Sequence, residues 1–213
     1  MSEIILANWE AIAEQPLDVR VVPDGCRDLI LCLAPGAAPH WFISDLDDQT
    51  RVVRMDPGVR LVGFRLRPGT AWDEDRLPAV LAEMKPDPDD AAQRIHDLAN
   101  RHAAVSEALD CLASGAASVA GSAGDLGISP RTLQRLVMGS TGRSPAFWLL
   151  LARARRSARA VLEGASLADA AYQHGYADQA HMSREFRRWF DVSPRRLARD
   201  AEIARQLLQP GYA

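Results

Sequence analysis

The side chains best suited to do chemistry in this sequence are long hydrogen-bond donors gathered in two short runs. Arg131, Gln134 and Arg135 follow the pair Ser129-Pro130, and Gln179, His181, Arg184, Arg187 and Arg188 follow Asp178. Apolar residues recur beside them at helical spacing: Leu133, Leu136 and Val137 in the first run, and Met182, Phe186, Trp189 and Phe190 in the second. A helix over each run would bury the apolar set and expose the donors. Arginine and glutamine make paired hydrogen bonds to base edges and also reach phosphate oxygens. Ser129, Arg131, Gln134, Arg135, Gln179, His181, Arg184, Arg187 and Arg188 are therefore candidates for contact with bases or phosphates. The competing reading is a solvated face on a structural bundle, in which His181 and His174 are ordinary histidines and His174 ends a helix where a cation is favoured.

Other chemistries lack their residues. His40, His96, His102, His174 and His181 have no acidic or cysteine partners at catalytic or ligand spacing, and no glycine pattern of a phosphate loop or dinucleotide fold occurs. Cys26, Cys32 and Cys111 are scattered, without the close pairs that metal or redox motifs use. The expectation is a protein that is not an enzyme and needs no metal or cofactor. The sharpest alternative is a thiol switch, in which Cys26 accepts a group and alters binding elsewhere. Apolar runs such as Ala146 to Ala152 fall far short of the roughly 20 residues of a membrane span. The short Ile4 to Ala7 run does not read as a secretion signal. A reducing cytoplasm suits this composition.

The elements that must position the two runs can be read from caps and turns. Ser129 is a good helix cap and Pro130 suits the first helical position, predicting a helix over Ser129 to Ser140. A glycine turn, Asp125-Leu126-Gly127-Ile128, precedes it, and a supporting helix at about Ala117 to Asp125 carries Gly121 and Gly124. Each of those glycines costs roughly 1 kcal/mol relative to alanine. The arrangement repeats about fifty residues on: Ser166 caps a helix over Leu167 to His174, Gly175-Tyr176-Ala177 turns, and a helix runs from Asp178 to Phe190. Both copies end alike, in Thr141-Gly142-Arg143-Ser144-Pro145 and Phe190-Asp191-Val192-Ser193-Pro194. Between them a long helix, Phe147 to Leu162, carries Arg153, Arg155, Arg156 and Arg159 on a mixed face and should hold the copies at fixed separation.

The N-terminal half reads differently. Short extended runs at Val19 to Val22, Asp28 to Leu33, Trp41 to Ser44, Arg51 to Met55 and Val59 to Leu66 are separated by Pro-Gly and Asp-rich turns. Helices are expected at Leu77 to Met84 and, after the break Lys85-Pro86-Asp87-Pro88, at Ala91 to Leu112. The class is α+β: an antiparallel β domain with helices over residues 1–112, a linker at 113–116 and an all-α domain over 117–213. Charge divides the same way, with 11 basic against 20 acidic residues in 1–115 and 14 against 8 in 116–213, net −9 and +6. A basic C-terminal unit is what a nucleic-acid contact confined to one domain would produce.

From about residue 116 to 199 the sequence resembles the paired helix-turn-helix domain of AraC/XylS-type regulators, most clearly over Leu126 to Leu136 and Ala170 to Phe190. The resemblance implies two recognition helices entering successive major grooves about 34 Å apart on double-stranded DNA. It implies a sequence-specific transcription regulator reading a bipartite site. RNA polymerase, a small-molecule effector and a second copy of the chain are further candidate partners, and an adaptor that keeps the fold without reading DNA is the competing class. Ala180 has no hydrogen-bonding side chain, so that position can touch only a thymine methyl.

Val22 to Leu31, with Gly63-Phe64-Arg65-Leu66-Arg67-Pro68-Gly69, resembles the short N-terminal domain of a subset of these regulators. This implies a partial cupin-like barrel that senses an effector or pairs subunits. Arg27, Trp41, Arg65 and Arg67 are the effector-binding candidates, with Arg27 and Asp28 also readable as a strand-end ion pair. Trp9, Trp41 and Trp72 would line an apolar cavity or simply fill a core.

Overall fold

The structure is a computed structural model describing residues 4–73 and 75–213. It is α+β and divides into two compact units. The first takes the chain up to Val19 with Cys26–Leu46 and Val52–His102, and the second takes Arg20–Gly25, Asp47–Arg51 and Ala103–Ala213.

Four antiparallel strands carry the first unit: β1 (Ile5–Ile12), β3 (Asp28–Leu33), β4 (His40–Ile43) and β6 (Arg60–Leu66), in the order β1-β6-β3-β4. The strands β2 (Leu17–Val21) and β5 (Arg51–Met55) form a separate pair. Leu29 and Leu31 of β3 lie opposite Phe64 and Val62 of β6, and Leu31 lies opposite Trp41 of β4, so alternate residues place one apolar face on the core. That face packs with Met84, Ala91 and Ile95 from the helical segment that follows, where α1 spans Leu77–Glu83 and α2 spans Pro88–Leu98. Asp87 caps α2 by accepting from the Asp89 N–H, which makes the Pro-Asp-Pro break a working helix start.

Two expectations are corrected here. β1, the longest strand, lies outside the runs picked out by composition, because Asn8, Glu10 and Trp9 dilute its apolar signal. Its alternation of half-buried Ala7, Trp9 and Ala11 with exposed Asn8, Glu10 and Ile12 is nonetheless period two. The single helix expected over Ala91 to Leu112 is in fact two. Ala99 leaves the helix at φ −112° and ψ 145°, and Ala99–Asn100 (β8) pairs with Ala71–Trp72 (β7). The chain resumes as α3, Ala103–Ala113, which belongs to the second unit. Apolar spacing runs through the break because each helix buries its own face. Only the polar triplet Asn100-Arg101-His102 marks where one core ends.

The second unit is all helical apart from its two short borrowed segments. It comprises α3, α4 (Val119–Asp125), α5 (Pro130–Thr141), α6 (Pro145–Leu162), α7 (Leu167–Gln173), α8 (Gln179–Phe190), α9 (Pro194–Leu197) and α10 (Ala201–Leu208). The helix α6 is the hub, packing on α3, α4, α5, α7, α8, α9 and α10. No helix among the described residues is long and apolar enough to cross a membrane.

Candidate nucleic-acid interface

Two helix-turn-helix arrangements are built in the same way. In the first, Gly127 sits at φ 67° between α4 and α5, a backbone that side chains with a Cβ rarely adopt, and the Ser129 Oγ accepts from the Thr132 N–H at 3.1 Å. In the second, Gly175 sits at φ 70° between α7 and α8, and the Asp178 carboxylate accepts from the His181 N–H at 2.6 Å. A carboxylate at this end also complements the helix dipole. Ser166 caps α7 in turn through the Asp169 N–H.

Each reader helix buries one side. Leu133 and Val137 anchor α5; Met182, Phe186, Trp189 and Phe190 anchor α8, all fully covered. Phe147 of α6 meets the Trp189 ring edge-on at 5.5 Å, and Arg153 of α6 lies over the Tyr176 ring at 4.6 Å and 3.8 Å from Glu185. Glu185 also accepts from the Trp189 indole at 3.4 Å. These contacts fix the rotation of α8 about its axis and hence the side it shows to solvent.

Arg131, Gln134 and Arg135 of α5 and Gln179, Arg184, Arg187 and Arg188 of α8 are exposed, as is Ser129 at the first cap. Among the described residues Arg131, Arg135, Arg184 and Arg187 form no ion pair, while Arg188 lies 4.0 Å from Glu185 and over the Trp189 ring at 5.2 Å. His181 is half-buried: its Nδ1 accepts from the Ala177 N–H at 3.4 Å and its ring stands edge-on to Tyr176 at 5.3 Å. One ring nitrogen is thus committed to the turn, leaving Nε2 for an outside contact. Arg135 also borders an apolar groove of about 350 Å³ formed with Ala104, Ala108, Leu126 and Leu136.

The structure adds residues that the sequence reading passed over. Met138 is 41% exposed on the stripe of Arg131, Gln134 and Arg135. Its spacing of seven from Arg131 was the available signal, masked because methionine reads as core. Tyr172 on α7 is 86% exposed, a phenol hydroxyl on the supporting helix of the second arrangement.

Several expectations change. His174 ends α7, but burial and then the nearby Arg156 charge push its pKa below the ordinary value, so it is not favoured there as a cation. The mixed face of α6 sorts its arginines by burial: Arg155 is fully buried and Arg156 and Arg159 are half-buried. Arg155 Nε donates to the Tyr212 carbonyl at 2.9 Å and Arg159 Nε to that of Leu207 at 3.0 Å, while Arg156 donates to the Ala113 carbonyl.

In the first unit Asp28 pairs with Arg65, at 3.3 Å, and accepts from the Trp9 indole at 3.1 Å, in place of the expected Arg27 pair. The cross-strand register sets Asp28 directly opposite Arg65. Trp41 is buried in the core, donating its indole N–H to the Lys85 carbonyl at 3.0 Å. Arg27 and Arg67 are half-buried. Cys26 is buried, Cys32 and Cys111 are partly covered, and none of them is in a disulfide. Among the described residues no three His, Cys, Asp or Glu side chains converge as a metal site.

Two capped, turn-linked helix pairs with donor-rich second helices define a protein with two helix-turn-helix arrangements. A family model described as a helix-turn-helix domain matches residues 122–200. That match makes this stretch a helix-turn-helix domain. Among solved structures, the chain is similar to a transcriptional regulator with an AraC-type DNA-binding domain from Chromobacterium violaceum, at 24% identity over 50% of this chain and 94% of that one, TM-score 0.42. The C-terminal domain of AraT, a response regulator from Geobacillus stearothermophilus, is 23% identical over 46% of this chain and 85% of its own, TM-score 0.43. ToxT from Vibrio cholerae covers 90% of this chain and 96% of its own length at 12% identity, TM-score 0.44. No curated protein matches.

Proposed function

We propose that this protein is a DNA-binding transcription regulator that reads a bipartite duplex site, with α5 on one half and α8 on the other about one helical turn away. Arg131, Gln134 and Arg135, and Gln179, His181 and Arg184, supply base or phosphate contacts, and Arg187 and Arg188 supply phosphate contacts. The carrying observation is the sorting of charge. Arg153, Arg155, Arg156 and Arg159 are spent on internal partners, whereas Arg131, Arg135, Arg184 and Arg187 stay exposed and without ion pairs among the described residues. The first unit modulates this activity; within it Arg27 and Arg67 have more capacity for an anionic effector than Arg65 and Trp41, which already have partners. Burial of Cys26 leaves its thiol little access to an oxidant and disfavours the switch reading.

Selection from a random duplex library at near-physiological salt tests this reading. Wild type should enrich a two-part motif, and Arg131→Ala and Arg184→Ala should each relax a different half, at about 1–3 kcal/mol per affected base pair. Enrichment of a single undivided motif, or relaxation of the same positions by both substitutions, overturns the bipartite reading. No enrichment at all favours the adaptor.

A further inference from the structure

Beside the start of α8 the second unit holds a cleft of about 640 Å³ that Gln179, of the proposed base contacts, borders. Its walls are Val161 of α6, Leu167 of α7, Gln179 of α8, and Pro194, Arg195 and Arg199 from α9 and the turn after it. The lining contains no carboxylate, so its formal charge is that of two guanidinium groups. Both arginines are exposed, and neither has an ion-pair partner among the described residues. Their neighbour Arg196 differs: its charge acts on Asp200, helping to hold that carboxyl down.

We infer that Arg195 and Arg199 grip a backbone phosphate of the duplex next to the half-site read by α8. This inference rests on the proposed reading of DNA and adds a site to it. Two unpaired cations with no carboxylate in the lining attract a phosphodiester. Arginine suits such a group through its fork of donors. Gln179, a base-contact candidate, shares the cleft, so a phosphate held there lies beside the base that Gln179 would reach. The cleft opens to solvent along one side, which fits a polymer running past better than a metabolite, since small-ligand sites enclose most of their ligand. A phosphate grip here fixes register and carries no base information, and this separates it from the roles given to Gln179 and Arg184.

The test is a salt titration by fluorescence anisotropy with the selected duplex, from about 50 to 200 mM salt. Arg195→Ala and Arg199→Ala should each lower the slope of log affinity against log salt by about 0.9, and the double variant by nearly twice that. Arg195→Lys should keep the slope, and all these variants should select the wild-type motif. Slopes equal to wild type in both single variants and the double variant overturn the inference while leaving the reading of DNA intact; so does a changed motif with unchanged slope. Inorganic phosphate at constant ionic strength distinguishes the source of the anion. Displacement of duplex from wild type and not from the double variant supports a duplex phosphate, because the two anions then compete for one site, whereas phosphate bound by wild type with no loss of duplex makes the cleft a free-anion site and overturns the assignment. A wild type that binds duplex with neither motif nor salt slope sinks both proposals together.

Discussion

Arg155 shows how far a residue's role can lie from its charge. Four arginines lie within one helix of mixed face, yet Arg155 has no accessible surface. Its donors reach the carbonyls of Tyr212 at 2.9 Å, Pro23 at 3.3 Å and Gln209 at 3.5 Å, so one side chain joins three backbone segments of the helical unit. Tyr212 is held from other sides as well: its hydroxyl donates to the Leu109 carbonyl at 2.8 Å and its ring meets Trp148 edge-on at 4.8 Å. Burial raises the Tyr212 pKa, keeping the phenol a neutral donor throughout the stable range of the protein. Arg155→Met keeps much of the volume and removes the donors, stranding buried carbonyls. It should cost about 2–4 kcal/mol, from hydrogen bonds to a charged group together with desolvated acceptors. Urea denaturation measures the loss; a change below about 0.5 kcal/mol would mean that water or backbone shifts satisfy those carbonyls equally well.

At the scale of elements, the weakest helix in the site is α4, seven residues containing Gly121 and Gly124. A Cβ built at Gly124 meets nothing within 4 Å, and one at Gly121 meets only the Ser118 Oγ at 3.5 Å, so neither glycine is required by packing. Gly124→Ala should therefore stabilise the unit by about 1 kcal/mol, through helix propensity and a less free unfolded chain. The shift is readable as a higher urea midpoint at constant slope. A destabilised variant would show that α4 must distort in the folded protein. This element was legible in the sequence, at about Ala117 to Asp125, from the turn at Gly127 and the cap at Ser129 that follow it, while its own cap, Ser118, was not picked out. The same local punctuation made α5, α7 and α8 legible to within a residue or two. What was not legible was set at long range. The strand β1 is defined by pairing with β6, fifty residues away, and the α2/α3 break by pairing of Ala99–Asn100 with Ala71–Trp72. Neither partner lies in any local window. Candidate site residues followed the same rule: exposed donors on a helix face could be counted, while Met138 and the proposed pair Arg195 and Arg199 needed the packed surface to reveal them.

At the scale of the whole molecule, sequence order and compact units do not coincide, since Arg20–Gly25 belongs with the helices. Arg20 anchors that segment: its guanidinium reaches Asp200 at 2.7 Å and Glu202 at 2.8 Å, and its backbone N–H donates to Glu202 at 3.0 Å. The adjoining Gln206 accepts from the Val22 N–H at 3.1 Å and donates to the Arg20 carbonyl. Burial alone would push the Asp200 carboxyl up. The hydrogen bonds from Arg20 and the Ile203 N–H, with the charges of Arg20 and Arg196, outweigh it and hold that carboxyl below its ordinary value. A depressed folded pKa contributes stability that is fully present above the unfolded carboxylate value, about 3.9, and is lost as pH falls through the lower folded value. Arg20→Met removes the partner, and at pH 7 it should cost about 1–3 kcal/mol, as for hydrogen bonds to charged groups. The difference between wild type and variant should then shrink as pH drops below about 4, because protonated Asp200 no longer needs the guanidinium. Paired denaturant titrations across that range isolate this effect from the general acid sensitivity that both proteins share. A penalty that stays constant down to the acid limit would assign the loss to the packing of the Arg20 side chain on α10 and not to its charge.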